Sequence, residues 1–414
     1  MDIRKVAVWA AAWMVWAAAA RGGDSRYQTY IVGERIGGMG GAGVALGQGV
    51  DACRYNPAGL SESERSSVSL TANLYGIQKR KTERGLLEED DLESDSFVTI
   101  PSLVGGVKRL SEEWVAGFSI VQPEKETLGE LTRKKSNRLY SYLADSQSIW
   151  AGPSVAWGKG EGWSFGASLF GSYRTESVLM MVASEPDKFM AGEGVDAKSV
   201  DAVLAGGVRW RGGNGWRAGA TVQTPSVHLY DSAEYGMGMA VGDVIWTRHS
   251  DDVELENRQP VQVAVGVGFE REREWAVGVD ATWRNKLSFA ASEEKQADGT
   301  SERDWVRRQA TVDLNAGAEY FVAGQYPVRA GFYTGFSSVP DVTKEGESQT
   351  EDIDAYGVTF SVGRETEQSS MNLGVNYVWG KGYEQGAGMD MRDNSRAKAW
   401  MQEIYFTLTT SYYF

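Results

Sequence analysis

The feature that most constrains this chain is a strict alternation of apolar and polar residues, which is clearest at the C-terminus. In IYFTLTTSYYF (404–414), every second residue from Ile404 to Phe414 belongs to a largely apolar set, and the residues between them are Tyr, Thr and Ser. Because successive side chains of a β-strand point to opposite faces, this period predicts a strand with one apolar face. The segments MNLGVNYVWG (371–380) and VQVAVGVGFE (261–270) follow the same pattern.

The spacing of such segments predicts the architecture. About fourteen are present, near 66–76, 98–109, 113–121, 147–158, 162–175, 200–211, 214–224, 260–271, 273–284, 308–323, 326–338, 352–364, 368–380 and 400–414. Every second connection is short (LSE, KGE, GGN, RE, AGQ and ETEQ), and the others are long. Alternating short turns and long loops are typical of a transmembrane antiparallel β-barrel, with both chain ends on the short-turn side.

The physical reason is that lipid cannot satisfy backbone N–H and C=O groups, so a sheet in a membrane must close on itself. The apolar faces would contact acyl chains, and the faces rich in Gly, Ser, Thr and Asn would line the lumen. Aromatic residues at predicted strand ends fit interfacial girdles; they are Trp157, Trp163, Trp210, Trp216, Trp283, Trp379 and Tyr412. A soluble β-sandwich or propeller is the alternative, and it would leave this one-sided polarity unexplained.

The first residues predict export. Arg4 and Lys5 precede an apolar run from Val6 that closes with alanines at Ala20, as in a secretory signal peptide. We therefore expect a signal peptide (1–20), an N-terminal hatch or plug (21–65) and a barrel (66–414), located in the bacterial outer membrane. Cys53 is the single cysteine, so an internal disulfide is excluded.

Composition excludes other classes of protein. The net charge is −14, which argues against nucleic-acid binding because phosphates could not be neutralised. Glycine supplies 50 of 414 residues, well above the usual fraction of about 7%.

Much of this glycine lies in GERIGGMGGAGVALGQGVDACRYNPAGL (33–60), which contains a G-x-G-x-x-G at Gly38, Gly40 and Gly43. A dinucleotide-binding loop would need a βαβ unit and a later acidic residue, so no cofactor is expected. A plug explains the composition better, because glycine lets the backbone pack closely against a barrel wall. Pro57 favours a bend at Asn56.

These residues resemble the hatch of the FadL/TodX family of outer-membrane transporters for hydrophobic compounds, which ends in an Asn-Pro-Ala motif. ATVQTPSVHLY, QPVQVAVGVGFEREREWAVGVDATW and LNAGAEYFVAGQYPVRAGFYTGFSSVPD are similar to later strands of that family, and Phe414 matches the terminal signal read by the barrel-assembly machinery. The resemblance implies passive uptake of hydrophobic small molecules such as long-chain fatty acids, with lateral release into the outer-membrane lipid. It assigns hatch or gate roles to Gly38, Gly40, Gly41, Asn56, Pro57, Ala58, Gly105, Gly106 and Gly117. The last three could equally be small inward-facing residues.

Two long connections contain apolar residues that suit capture of varied apolar ligands. The candidate ligand-binding residues are Leu179, Met180, Met181, Phe189, Met190, Met237, Met239 and Trp246. Packing of loops on each other over the barrel mouth would explain the same residues. The second long connection has partial helical spacing at Leu128 and Leu131, and the acidic run EEDDLESD in the first predicts a solvated, mobile tip.

Other functions have weaker support. Calcium capture by Asp90, Asp91 and Asp95 does not fit the EF-hand spacing. His228 and His249 are the only histidines. His249 with Asp251 or Asp252 could be drawn as a base and its orienter, but no nucleophile or metal motif accompanies them, so we expect no enzyme and no metal. A plug of this size is too short for an energised siderophore transporter. The second hypothesis is a barrel of the same family that acts as a surface scaffold or shuttle for partner proteins.

Overall fold

The computed structural model describes residues 25–86, 90–135, 138–159, 161–185, 188–250, 253–255, 257–295, 301–340, 351–385 and 396–414. The predicted signal peptide lies outside the described residues. No helix among the described residues combines the length and hydropathy of a membrane-crossing helix.

The described helices are short and lie before the first strand: α1 (Arg35–Gly38), α2 (Gly49–Tyr55) and a 3₁₀ helix (Pro57–Glu62). The strands are β1 (Ser67–Leu86), β2 (Asp90–Arg109), β3 (Trp114–Lys135), β4 (Arg138–Trp157), β5 (Gly162–Ser184), β6 (Phe189–Arg211), β7 (Trp216–Gln223), β8 (Val227–Val241), β9 (Val244–Ser250), β10 (Val253–Leu255), β11 (Gln262–Arg271), β12 (Trp275–Arg284), β13 (Leu287–Lys295), β14 (Ser301–Arg308), β15 (Thr311–Val322), β16 (Tyr326–Gly335), β17 (Glu351–Glu365), β18 (Ser369–Gln385) and β19 (Arg396–Tyr413).

Fourteen of these strands close an antiparallel barrel. They are β1 to β7, β11, β12 and β15 to β19, and β19 closes the sheet on β1 with Ser67 opposite Tyr413. Each matches one predicted segment, and the short turns fall where the sequence places them. The fold prediction is therefore confirmed. The first residue of β1 and the last residue of β19 lie together on the short-turn side.

The outer face of the barrel is apolar. Trp163, Leu169 and Tyr173 of β5 point outward and are exposed, whereas Ser168 and Ser172 between them are buried towards the lumen. The exposed rings of Trp163 and Tyr173 are ten residues apart, which is about 25 Å at the usual strand tilt and matches a bilayer's apolar layer.

The strands extend beyond this apolar belt on the long-loop side, where the sequence predicts loops. Residues 205–211 of β6 pair with β7. Residues 189–202 of β6 pair instead with β8, which in turn pairs with β9. Strands β10, β13 and β14 form a separate small sheet. The prediction that the third and fourth long connections are loops is therefore wrong, because much of each continues as paired strand.

Two further segments of the long-loop side lie largely in strands. The residues with helical spacing lie in β3, where pairing with β4 shifts register between Leu128 and Leu131. The acidic run lies largely in β2, where Asp91 contacts Lys81 of β1 at 2.7 Å. A basic segment of β1 therefore pairs with the part of the acidic run that begins at Asp90, whereas Glu88 and Glu89 lie outside the described residues and the predicted mobile tip stays a prediction.

Pairing between β2 and β3 is incomplete. In the described residues, their register runs only over Leu103–Arg109 against Val115–Val121. Residues 90–102 stay paired with β1, and residues 124–135 stay paired with β4. We call the space between residues 90–102 and 122–135 the wall gap. It begins beside Pro101 and Pro123, and proline has no N–H to donate to a ladder.

Candidate functional site

Residues 25–65, which we call the hatch after the prediction for this segment, lie inside the barrel and pack against its wall largely through bare backbone. Gly40 has φ +62°, and a Cβ there would lie 2.6 Å from the backbone nitrogen of Phe332. The wall is also bare at this point, because a Cβ on Gly317 or Gly331 would overlap Met39 or Gly40. The G-x-G-x-x-G segment therefore allows close approach of two backbones.

Polar side chains of the wall bind the backbone of this segment. The Gly40 amide donates to Thr359 Oγ1 at 2.9 Å, and Asn315 Nδ2 donates to the Gly40 carbonyl at 2.7 Å. The Val44 amide donates to Asp280 Oδ2 at 2.8 Å. Inward-facing polar side chains of the strands thus form hydrogen bonds with backbone groups of the hatch that take part in no β-ladder.

The Asn-Pro-Ala segment joins the hatch to the far wall. Asn56 Nδ2 donates to the carbonyls of Val44 and Val208 at 2.8 and 3.2 Å, and Asn56 Oδ1 accepts from the Ala58 amide at 3.2 Å. Pro57 is the first residue of the 3₁₀ helix, and Asn56 caps the N-terminus of that helix through its bond to the Ala58 amide. The asparagine uses its donors and its acceptor at one bend, which explains why this residue type is needed there.

Asp51 of α2 holds the first turn of α1 in place. Its carboxylate accepts the backbone amides of Glu34, Arg35 and Ile36 at 2.9–3.0 Å. Burial raises the pKa of Asp51, and the three amides oppose that effect. The residue therefore ties α1 to α2.

A continuous series of alternating charges joins the hatch to the wall on the short-turn side. We call it the ion ladder, and its members are Arg209, Glu62, Arg217, Glu270, Arg35, Glu319 and Arg329. Arg35 of the hatch lies 2.8 Å from Glu270 and 2.7 Å from Glu319. Glu62 of the hatch bonds both Arg209 and Arg217. Although burial opposes it, Glu270 and Glu319 raise the pKa of Arg35.

A cavity of about 290 Å³ borders the ion ladder and is lined largely by charged side chains, including Arg35, Glu62 and Arg329. Sequence reasoning missed the ladder. Its only signal was the presence of Arg35 and Glu62 in a segment otherwise rich in Gly and Ala.

The predicted gate glycines lie below the wall gap, in the paired part of β2 and β3. A Cβ on Gly105 would lie 2.6 Å from Val50 Cγ1, and one on Gly117 would lie 2.8 Å from Cys53 Sγ. Gly106 points away from the hatch, towards Val68. Gly105 and Gly117 thus give room for α2, whereas the described pairing of β2 with β3 ends two residues from Gly105 and four residues from Gly117.

The N-terminal part of the hatch reaches β3 at the wall gap. The Tyr30 hydroxyl donates to the Gln122 carbonyl, and the Thr29 hydroxyl lies 3.5 Å from the Pro123 carbonyl. Hatch side chains thus contact backbone carbonyls of β3 where the structure describes no pairing of β3 with β2.

The predicted ligand-binding residues divide between two faces. Met180, Met237, Met239, Phe189 and Trp246 lie on the face that continues the lumen, in adjacent rows of β5, β6, β8 and β9. Ala191 and Met239 form a buried cluster with Phe189. Leu179, Met181 and Met190 lie on the opposite face. The structure therefore brings together five of the eight candidates.

The described part of the chain assembles neither the candidate catalytic site nor the candidate calcium site. His228 lies 3.2 Å from Asp201 and 3.0 Å from Asp231. His249 is exposed on β9, and Asp251 and Asp252 lie outside the described residues. Among the described residues, no cluster of three His, Cys, Asp or Glu side chains could hold a metal ion.

Comparison with known proteins identifies the fold. No protein-family model matches the chain. No curated protein matches it either. A FadL homologue from Pseudomonas aeruginosa is similar with a TM-score of 0.69 at 13% identity, over 93% of this chain and 99% of that one. The Pseudomonas putida toluene transporter TodX gives 0.69 at 13% identity over 94% and 99%. The Ralstonia pickettii toluene transporter TbuX gives 0.64 at 13% over 92% and 98%. The chain has the fold of these barrels.

Proposed function

We propose that this chain is a channel of the bacterial outer membrane that admits hydrophobic small molecules, long-chain fatty acids among them, by passive diffusion. Solved barrels of the same fold include a FadL homologue and two toluene transporters. One observation carries the proposal: residues 25–65 pack inside the barrel, and beside them β2 and β3 pair only over Leu103–Arg109 and Val115–Val121, which leaves the wall gap without a described ladder. A molecule entering from the long-loop side then has a lateral exit.

Capture begins at the mouth. The inward row of Phe189, Met237, Met239 and Trp246 presents apolar side chains that continue into the lumen. Methionine adapts to ligands of varied shape, so this row suits a first, unselective site. We infer that Leu179, Met181 and Met190 take no part in ligand capture, since they lie on the opposite face from this row.

Release follows through the wall gap. Phe97 and Tyr75, whose rings are 5.2 Å apart, are exposed on the outside of β2 and β1 close to the gap. The gap therefore opens into the apolar belt, where an apolar molecule gains free energy by leaving water. Movement of Thr29 and Tyr30 away from β3 would widen the opening, while the ion ladder holds the base of the hatch in place.

Uptake of radiolabelled oleate and of a neutral hydrocarbon by a deletion strain tests the proposal. Cells carrying the wild-type gene should accumulate more label than cells without it. Met239→Lys places a charge in the apolar row and should abolish the gain, whereas the matched Met190→Lys on the opposite face should retain it. Equal uptake with and without the gene, together with a stoichiometric protein partner in pull-downs, would instead favour a scaffold.

A further inference from the structure

Glu193 is a buried carboxylate on the inward face of the long-loop side. It is 4% exposed and lies on β6, seven residues beyond Val200, which pairs with Tyr173 at the long-loop edge of the apolar belt. The residues directly across from it are Met180 on β5 and Met237 on β8. An acidic side chain therefore lies outside the membrane, among the apolar side chains of the mouth.

The carboxylate of Glu193 is only partly satisfied. Its Oε1 has no hydrogen-bond partner among the described residues. Its Oε2 lies 3.4 Å from the Tyr235 hydroxyl, which is longer than the ordinary O–H···O distance of about 2.5–3.0 Å. Arg248 lies one strand further away, on β9 opposite Met237. Burial raises the pKa of Glu193 to about 7, and the Tyr235 hydroxyl opposes that effect only in part.

Other buried carboxylates of this chain are compensated. Glu62 bonds Arg209 and Arg217, and Asp51 accepts three backbone amides. Burying a carboxylate without such partners costs free energy. A buried acid that retains an unsatisfied oxygen therefore marks a candidate ligand site.

The surroundings of Glu193 define the chemistry of the missing partner. An ionised carboxylate only accepts hydrogen bonds, so the partner must supply a donor, and a positively charged donor compensates the charge as well. Met180 and Met237 flank the acid, and Ala191, two residues before it on the same face, pairs with Met239. Methionines adapt to apolar molecules of varied shape. The rest of the partner is therefore a hydrocarbon.

We propose that Glu193 binds the ammonium group of a hydrophobic amine whose hydrocarbon chain lies along Met180, Met237 and Met239, so that the mouth of the channel accepts long-chain amines. This inference rests on the proposed function, because the same apolar row is the capture site, and it adds a class of ligand to that site. The ammonium group replaces the donor that the protein does not provide.

Equilibrium binding of tritiated dodecylamine and tritiated tridecane to the detergent-purified protein at pH 9 tests the inference. The probes have equal length, and the amine is protonated at this pH. Glu193→Gln should weaken amine binding about tenfold or more, as expected for loss of a charge-assisted hydrogen bond, and leave tridecane binding unchanged. Glu193→Asp should keep part of the amine affinity. Each probe is compared between variants, so its partition into detergent cancels.

Glu234→Gln is the matched control, since Glu234 is exposed on the opposite face of β8, next to Tyr235. It should leave both affinities at their wild-type values. Amine binding that survives Glu193→Gln, or equal weakening of both probes in that variant, would overturn the inference. Wild type that binds tridecane and not the amine would overturn it and leave the proposed function standing, whereas binding of neither would overturn both. Heat-modifiable migration confirms that each variant is folded.

Discussion

Replacing Glu62 by Gln should release the base of the hatch without unfolding the barrel. The Glu62 side chain is 2% exposed and bonds Arg209 and Arg217, which are 0% and 5% exposed. Removing one partner of a buried ion pair costs about 3–5 kcal/mol. The side-chain amide oxygen introduced by Glu62→Gln can still accept a hydrogen bond from the arginines, so we take the lower end, about 3 kcal/mol, or roughly a hundredfold rise in the open population of the hatch.

Cys53 reports that population. Its side chain is fully buried, and burial raises the pKa of its thiol to about 11, so alkylation at pH 8 requires the hatch to open. Iodoacetamide should therefore modify Glu62→Gln roughly a hundred times faster than wild type, if reclosing is fast relative to alkylation. The exposed Glu64, replaced in the same way, should change nothing. An unchanged rate in Glu62→Gln, or loss of heat-modifiable migration, would refute the reasoning.

Three further substitutions test separate parts of the structure. Gly40→Ala should raise Cys53 alkylation severalfold, because φ +62° and the adjacent Phe332 amide disfavour a Cβ by about 1–2 kcal/mol; an unchanged rate would argue against close backbone packing. Asn56→Asp should loosen the hatch more than Asn56→Ala in the same assay, since the carboxylate would face two carbonyls, and the reverse order would be inconsistent with the bonds described. Val267→Arg, on the outer face of β11, should reduce unfolding free energy in vesicles by about 2–4 kcal/mol; a change below about 0.5 kcal/mol would mean that this face does not meet lipid.

The barrel could be predicted because its signal is local. Leu373 and Asn372 differ in polarity because one is exposed on the outer face and the other is buried towards the lumen, and the same difference recurs in other described wall strands such as β5. The short turns added the strand order, since each joins neighbours. These constraints act on adjacent residues, so one sequence contains them.

The long-loop side and the site depend on contacts between distant residues. The irregularity between Leu128 and Leu131 in β3 breaks the two-residue period, and the interruption resembles helical spacing. Lys81 and Asp91 read separately as charged loop residues, yet they pair across two strands. Arg35 and Glu319 are far apart in sequence, so nothing local indicated the ion ladder.

The position of the wall gap also depends on contacts between residues that are distant in the sequence. Pro101 and Pro123 are visible in the sequence, and each predicts a weak point in a strand. That both prolines lie two residues past the end of the described β2–β3 ladder depends on register, which the sequence did not provide. Of the three wall glycines that the sequence predicts as gates, Gly105 and Gly117 instead make room for the hatch.

Cross-linking the wall gap tests the central claim most directly. In a Cys53→Ser background, Pro101→Cys and Pro123→Cys would be joined by a bifunctional thiol reagent with a reducible linker, and oleate uptake measured before and after reduction. Lys79→Cys with Asp95→Cys, across the paired strands β1 and β2, is the control. We predict that the linked gap blocks uptake, that reduction restores it, and that the linked control transports normally. Full uptake through the linked gap would contradict lateral release.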